Sequence, residues 1–336
     1  MRRAALLFAL AAAQLAAVTP VVTSFTTSTA TPIAGQTFQI CWVASNVPTS
    51  ITITPGLTGD QTTTYVDSTN PATGCATFTP PLARLRFDGD SLTCGFRATG
   101  AAQNAPASGT PLALPCNPNP SPNGAPNTAW PVRARAGLEQ TGYSIASYVN
   151  LAIVGITASG HTPTTCASTT FNPDVLGVTF GANDMQGITT NGQADTVYAN
   201  LKTLWAAAKP TCKVVVWTLT PRSSGPAPDS VRVYLNGLIT GTPALYDAII
   251  NIGATSDAMG CAGCNTTDTT DYNADGTHYT DAGYAHAGAL GAAAIAPLMS
   301  ATYSITANNV SGTSAAVTLA VSARVNPPAT VSSMTQ

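Results

Sequence analysis

With 336 residues, 44% of them hydrophobic, the chain can bury the core of one large domain or two modest ones, and wholesale disorder is excluded. Only 8% of the residues are charged, against about 25% in an average soluble protein, and the net charge is −2. Three of the 13 basic residues are Lys and no basic run occurs, so no nucleic-acid partner is expected, because phosphates require a Lys/Arg footprint. The chain starts MRRAALLFALAAAQLAAV: Arg2 and Arg3 are basic, residues 4–10 are apolar, and Ala11-Ala12-Ala13 precedes Gln14 as an A-x-A cleavage pattern. This reads as a secretory signal peptide over residues 1–13, and the protein is expected to be secreted or held at the cell surface. The rival is a membrane anchor, but about 15 apolar residues fall short of the ~20 that a span needs. Residues 285–299 are apolar as well, yet they are Gly-punctuated and contain Pro297, so no stable membrane span is expected.

Residues 20–80 are rich in Thr and Pro and alternate with period two. The stretches Thr37-Phe38-Gln39-Ile40-Cys41-Trp42-Val43, Ile51-Thr52-Ile53-Thr54 and Cys75-Ala76-Thr77-Phe78 predict short half-buried strands. From 82 to 299 the texture changes. Apolar runs at 85–87, 148–154, 175–180 and 214–219 predict strands, and residues 194–208 predict a helix with Val197, Leu201, Leu204, Trp205 and Ala208 on one face. Trp130-Pro131 precedes another helix, and a last one is expected over 281–299, capped by Thr280 or Asp281. Strands alternating with amphipathic helices imply an α/β domain with a parallel sheet covered on both faces, whose ligands bind at the strands' carboxyl ends. Alternation returns in Thr302-Tyr303-Ser304-Ile305-Thr306-Ala307 and Ala316-Val317-Thr318-Leu319-Ala320-Val321, around a turn at 308–312. Residues 325–336 are expected to be a flexible tail.

Eight cysteines in an exported chain are expected to form disulfides. Of 105 possible pairings, neighbour with neighbour is expected: Cys41–Cys75, Cys94–Cys116, Cys166–Cys212 and Cys261–Cys264. The rival for Cys261-Ala-Gly-Cys264 is a redox or zinc pair, but zinc would want a second pair or nearby histidines.

Three clusters stand out: Gly89-Asp90-Ser91-Leu92-Thr93 after the first expected strand, Gly181-Ala182-Asn183-Asp184 after the third, and Asp275-Gly276-Thr277-His278 just before the last helix. A serine nucleophile needs a base within reach, a group to orient that base, and donors for the developing oxyanion. Ser91, His278, Asp275 and Asn183 offer one of each. Singly each is weak, since Gly-Asp-Ser is far more often a plain turn and a His near an Asp more often a surface pair. Their joint occurrence, in this order, carries the reading.

These blocks resemble those of the SGNH (GDSL-type) hydrolases over nearly all of residues 82–299. The first block is similar to Asp88-Gly89-Asp90-Ser91-Leu92-Thr93, which implies Ser91 as nucleophile, supported by Asp90. The second is similar to Val149-Asn150-Leu151-Ala152-Ile153-Val154-Gly155, which implies the Gly155 N–H as an oxyanion donor; Gly160 is the other candidate. The third, beginning at Gly181, implies the Asn183 amide as a donor, and the last implies His278 as the base and Asp275 as the group that orients it. The Ser91 N–H would complete the oxyanion hole. The implied fold is a three-layer αβα, flavodoxin-like domain with a parallel sheet, needing no metal or cofactor. The two chain ends resemble the bacterial immunoglobulin-like repeat, with residues 18–80 and 301–324 forming one β-sandwich into whose loop the hydrolase domain is inserted. Two unrelated decorations are the alternative. Residues 94–130 form a Pro/Asn/Gly-rich insertion expected to wall the pocket.

The expected activity is hydrolysis of short-acyl esters, acetyl above all, on a glycan or cell-surface polymer, by a monomer. Alternatives are a lipase or arylesterase, a carbohydrate-binding or adhesion protein with a hydrolase-like core, and a structural component of an extracellular or virion assembly. Trp42 and Tyr65 would be the sugar platform of the binding protein, although Trp42 at a strand position suits a core. An α/β-hydrolase elbow is excluded because no G-x-S-x-G occurs. Asp271-Tyr272-Asn273-Ala274-Asp275-Gly276 copies half of an EF-hand calcium loop, but its twelfth position is Ala282 rather than Glu. His161 and His286 have no motif partners and are expected at the surface or in packing.

Overall fold

The computed structural model describes residues 18–29, 37–54, 65–78, 83–99, 128–143, 145–166, 173–223 and 225–322. The expected signal peptide, the C-terminal tail, Cys116 and most of the 94–130 insertion lie outside the described residues.

Both ends of the chain are antiparallel β-structure. The N-terminal part supplies β1 (Val21–Thr27), β2 (Phe38–Ser45), β3 (Ser50–Thr54), β4 (Tyr65–Asp67) and β5 (Thr73–Phe78). The C-terminal part supplies β11 (Ser300–Asn309), β12 (Gly312–Thr313) and β13 (Val317–Ser322). One sheet runs β1-β2-β5, and the other runs β12-β11-β3-β4, with β13 also paired to β11. Strand β11 therefore lies against β3, matching Ile305 with Ile53 and Ala307 with Ile51 across some 250 residues of chain. Period-two alternation turns Phe38, Ile40 and Trp42 inward, where they share one core with Ile51, Ile53, Phe78, Tyr303, Ile305 and Val321. Cys41 and Cys75 sit opposite each other on β2 and β5 and are bonded. Trp42 is 1% exposed, so it belongs to this core and forms no sugar platform.

The middle of the chain alternates β6 (Ala83–Gly89), α1 (Ser91–Cys94), α2 (Trp130–Gln140), β7 (Ile145–Asn150), β8 (Val175–Thr179), α3 (Asn191–Ala208), β9 (Lys213–Trp217), α4 (Asp229–Thr240), β10 (Ala248–Ile250), α5 (Cys264–Thr267) and α6 (Asp281–Ile295). The five strands form a wholly parallel sheet in the order β10-β9-β8-β6-β7. Buried on both faces, β8 shows no alternation at all. Trp130 of α2 packs edge-on to Phe87 at 5.1 Å, on one face. Leu204 of α3 lines a small cleft with Asp88, Leu176 and Val178 on the other. Helix α6 packs on α2, and α4 on α3, which completes three αβα layers. Gly177 makes the first packing possible: a Cβ there would stand 2.4 Å from the Phe87 ring.

Three expected elements end differently. The second strand of the domain is β7 rather than 148–154, although Leu151 and Ile153 still donate to Phe87 and Gly89 carbonyls beyond its end. The ladder stops there because residues 154–155 turn. Helix α6 stops at Ile295 and passes into a 3₁₀ turn at Ala296–Leu298, where Pro297 cannot donate to an α-helical ladder. The expected fourth strand, 214–219, is β9, displaced by one or two residues at each end. Cys166–Cys212 and Cys261–Cys264 are both bonded.

Candidate active site

The loops leaving β6, β7, β8 and β9 meet the segment before α6 at one edge of the sheet, around a cavity of about 520 Å³. Its lining includes Ser91, Gly155, Asn183, Asp275 and His278. Asp90 caps α1, its Oδ1 accepting the Leu92 N–H at 3.0 Å, which fixes Ser91 as the first helical residue. Asn150 locks this turn to the end of β7 by donating to the Thr93 carbonyl at 2.8 Å.

Asp275 and His278 lie at the tip of a small hairpin closed by the Tyr272–Tyr279 bridge. Oδ1 of Asp275 accepts the backbone N–H of Thr277 at 3.0 Å and of His278 at 2.9 Å, so the aspartate builds its own turn. Oδ2 then faces His278 Nδ1 at 2.9 Å, and His278 Nε2 stands 3.0 Å from Ser91 Oγ. An ionised carboxylate only accepts, so Nδ1 carries the proton and Nε2 is left to accept from Ser91. Burial of Asp275 opposes ionisation, but its hydrogen bonds from His278 and Thr277 outweigh that and hold the carboxyl well below the usual range. The Phe96 ring lies 4.7 Å from the imidazole, covering part of it.

Gly155 sits at φ +80 with open space where a Cβ would stand, so its backbone borders the cavity unobstructed. Gly160, the other candidate, has its N–H on Thr157 and does not line the cavity. Asn183 Nδ2 donates to the Ile156 carbonyl at 2.9 Å, leaving its second N–H for a ligand. The Asp184 carboxylate accepts the Ala158 N–H at 2.9 and 3.0 Å, so the loops carrying Gly155 and Asn183 are tied twice. Gly181 opens the second of these loops at φ +118. Asp90 reaches the same loop, Oδ2 accepting the Ala182 N–H at 3.3 Å. Complete burial, reinforced by the Asp184 charge, pushes the Asp90 carboxyl up to about 7 against its hydrogen bonds from Leu92 and Ala182 and the Arg222 charge.

All of the sequence-derived site residues are thus within this one edge. Three others come with them. Phe96 and Arg97 belong to the insertion after Cys94 that was expected to wall the pocket, although no motif singles out either residue; Arg222 follows Pro221 beyond β9, where no sequence pattern points to the site. Arg97, held at φ +71, pairs through Nε with Asp275 Oδ2 at 2.7 Å. The calcium-like loop is differently occupied, with Asp275 turned to His278 and Arg97 and the Asn273 amide donating to the Tyr279 carbonyl. Among the described residues no group of three or more His, Cys, Asp or Glu is placed to hold a metal ion. His161 packs on Phe180 and lies 3.6 Å from Asp88, while His286 contacts Asp257 at 3.0 Å. No helix among the described residues is long and apolar enough to cross a membrane.

The family model of the GDSL-like lipase/acylhydrolases matches residues 87–286, 200 of the 336 positions. No curated protein matches. Among solved structures, the chain is similar to a lipase/acylhydrolase from Enterococcus faecalis (19% identity, 64% of this chain and 95% of that one, TM-score 0.43). It is similar also to phospholipase A1 from Streptomyces albidoflavus NA297 (16% identity, 63% and 98%, TM-score 0.39). A third is a family two carbohydrate esterase from Clostridium thermocellum (13% identity, 82% and 96%, TM-score 0.36). The match to the family model, covering more than half of the chain, is what assigns it.

Proposed function

From the premise that this chain belongs to the GDSL-like lipase/acylhydrolase family and is a carboxylic ester hydrolase, we propose that it is a secreted serine esterase acting on short-acyl esters of a polysaccharide. One observation carries the mechanism: the unbroken Asp275–His278–Ser91 contact series of 2.9 and 3.0 Å opening on the cavity. Ser91 Oγ attacks the acyl carbon as its proton passes to His278 Nε2. The carbonyl π electrons move onto oxygen, and the oxyanion takes hydrogen bonds from the Ser91 and Gly155 N–H groups and the Asn183 amide. Asp275 holds the imidazole tautomer and stabilises the imidazolium. The bond to the alkoxy oxygen then breaks, His278 returns the proton to the leaving alcohol, and water repeats the sequence on the acyl-enzyme.

Export is supported by the Arg2-Arg3, apolar, A-x-A order of the first 13 residues and by the three disulfides among the described residues. Treatment of residues 18–80 and 301–324 as one immunoglobulin-like module, with the hydrolase domain at 82–299, is supported by the core that both ends share. A module of that kind suits an enzyme working at a surface or on a polymer.

The test is hydrolysis of 4-nitrophenyl acetate and octanoate by the mature chain beside Ser91→Ala. Turnover of the acetate that exceeds the octanoate and disappears in Ser91→Ala is expected. Acetate turnover persisting in the variant contradicts the nucleophile, and octanoate preference contradicts the short acyl group.

A further inference from the structure

Two guanidinium groups line the cavity that contains Ser91 and His278, and they are not equivalent. Arg97 has the Asp275 carboxylate. Among the described residues Arg222 has no ion pair, its side chain makes one hydrogen bond, from Nη1 to the Ala182 carbonyl, and its Nε is buried without a partner. Asp90 and Asp275 act on it only through space, and burial lowers its affinity for its proton in spite of them. Neither carboxylate makes a contact ion pair with it, and each has other partners. Asp90 is held by two backbone N–H groups, and Asp275 by His278 and Arg97. A half-buried cation without a contact ion pair is costly, and such a group in a cleft beside a nucleophile is a candidate for ligand recognition.

Arg222 also borders a second cavity of about 350 Å³, formed with Met185, Pro226, Asn265 and others. The other cation there, Arg232, is saturated by Asp229 and by the Leu219, Gly253 and Gly260 carbonyls. Among the described residues, Arg222 is therefore the one cation of either cavity without a contact ion pair. Its place fixes the side of the substrate it would meet. The next residue, Ser223, donates its N–H to Gly276 at 2.8 Å, so Arg222 flanks the hairpin that carries His278. His278 protonates the departing alcohol, which puts the alcohol part of the ester on this side.

We infer that Arg222 is a specificity-determining residue, and that the preferred substrate is an acyl ester whose alcohol part carries a carboxylate, docked on the Arg222 guanidinium. An O-acylated acidic sugar has this chemistry. The inference rests on the esterase reading above and narrows it.

The experiment compares 4-acetoxybenzoate with its neutral methyl ester, each kcat/KM divided by that ester's hydroxide-catalysed rate. Wild type is expected to favour the carboxylate by about tenfold, the scale of one charge-assisted contact. Added salt should shrink the preference, Arg222→Gln should abolish it, and Arg222→Lys should retain part of it. Equal use of both esters by wild type, or an undiminished preference in Arg222→Gln, overturns the inference. If the neutral ester is still hydrolysed through Ser91 in that case, the esterase reading stands without it. Failure of folded wild type to hydrolyse either ester removes both.

Discussion

Asp275 spends each carboxylate oxygen on a different task, one shaping its own turn and the other orienting His278. That is why a D-x-x-H spacing is legible in a sequence: the geometry is local and three residues long. Ser91 and Asn183 are legible for a related reason, since each follows a strand at a fixed short distance. Phe96, Arg97 and Arg222 are not, because they reach the cavity through loops whose paths no periodicity encodes. Asn183→Ala should lower kcat on 4-nitrophenyl acetate by about 10²–10³, the usual effect of losing one oxyanion donor, while the chain stays folded by circular dichroism. Near-wild-type turnover would remove Asn183 from the proposed oxyanion hole. Asp90 makes a pH prediction. Unfolded, its carboxyl titrates near 3.9; folded, burial raises it to about 7. Between those values the folded chain holds the extra proton, so this group's contribution to stability falls as pH rises, by at most roughly 4 kcal/mol. Melting temperature should therefore climb as the pH is lowered from 8 to 5. It should drop again below about 4, where Asp275, Asp88 and Asp281, all depressed in the folded chain, are protonated first in the unfolded one. Asp90→Asn should flatten the slope between pH 5 and 8 whatever its own melting temperature.

At the level of elements, long amphipathic runs such as α3 are readable, since Val197, Leu201, Leu204 and Trp205 all face the core. Helix α4 and strand β10 escape the same reading. The buried face of α4 includes Arg232 and Asn236, polar residues satisfied by the Leu219 and Gly253 carbonyls, so its apolar stripe is broken. Strand β10 has three residues, too few for any period. Gly177 is an element-scale constraint of another kind, because the Phe87 ring fills the space above it and is wedged in turn against Trp130. Gly177→Ala should destabilise the domain by about 1–3 kcal/mol, measured by urea unfolding, as overpacked cores do. An unchanged midpoint would mean that the ring moves freely.

Across the whole molecule, the notable contacts join the two ends of the chain. Ile305 is fully buried between strands contributed from both ends. Ile305→Ala should cost about 2–5 kcal/mol and speed amide hydrogen exchange in β3, some 250 residues away in the chain. Exchange unchanged in β3 would show the two ends to be independent. Cys166–Cys212 closes a loop with a separation of 46 residues, and its removal should cost about 4 kcal/mol on chain-entropy grounds. The alternation in both ends was readable, and so was its return after residue 299. Which strands pair is not encoded locally, because antiparallel partners chosen across a whole domain leave no mark in either strand.

The insertion of β11 beside β3 has a consequence for how the protein is made. A ribosome adds about 5–20 residues per second, so roughly 12–50 s separate the emergence of β3 from that of its partner. During that interval β3 presents an open edge with β-branched Ile51 and Ile53 on its buried face, the kind of surface that pairs with other nascent chains. Thr52 and Thr54 at the alternate positions supply no charge to discourage such pairing. Yield from this gene should therefore depend on chaperone supply and synthesis rate more steeply than on the stability of the finished fold.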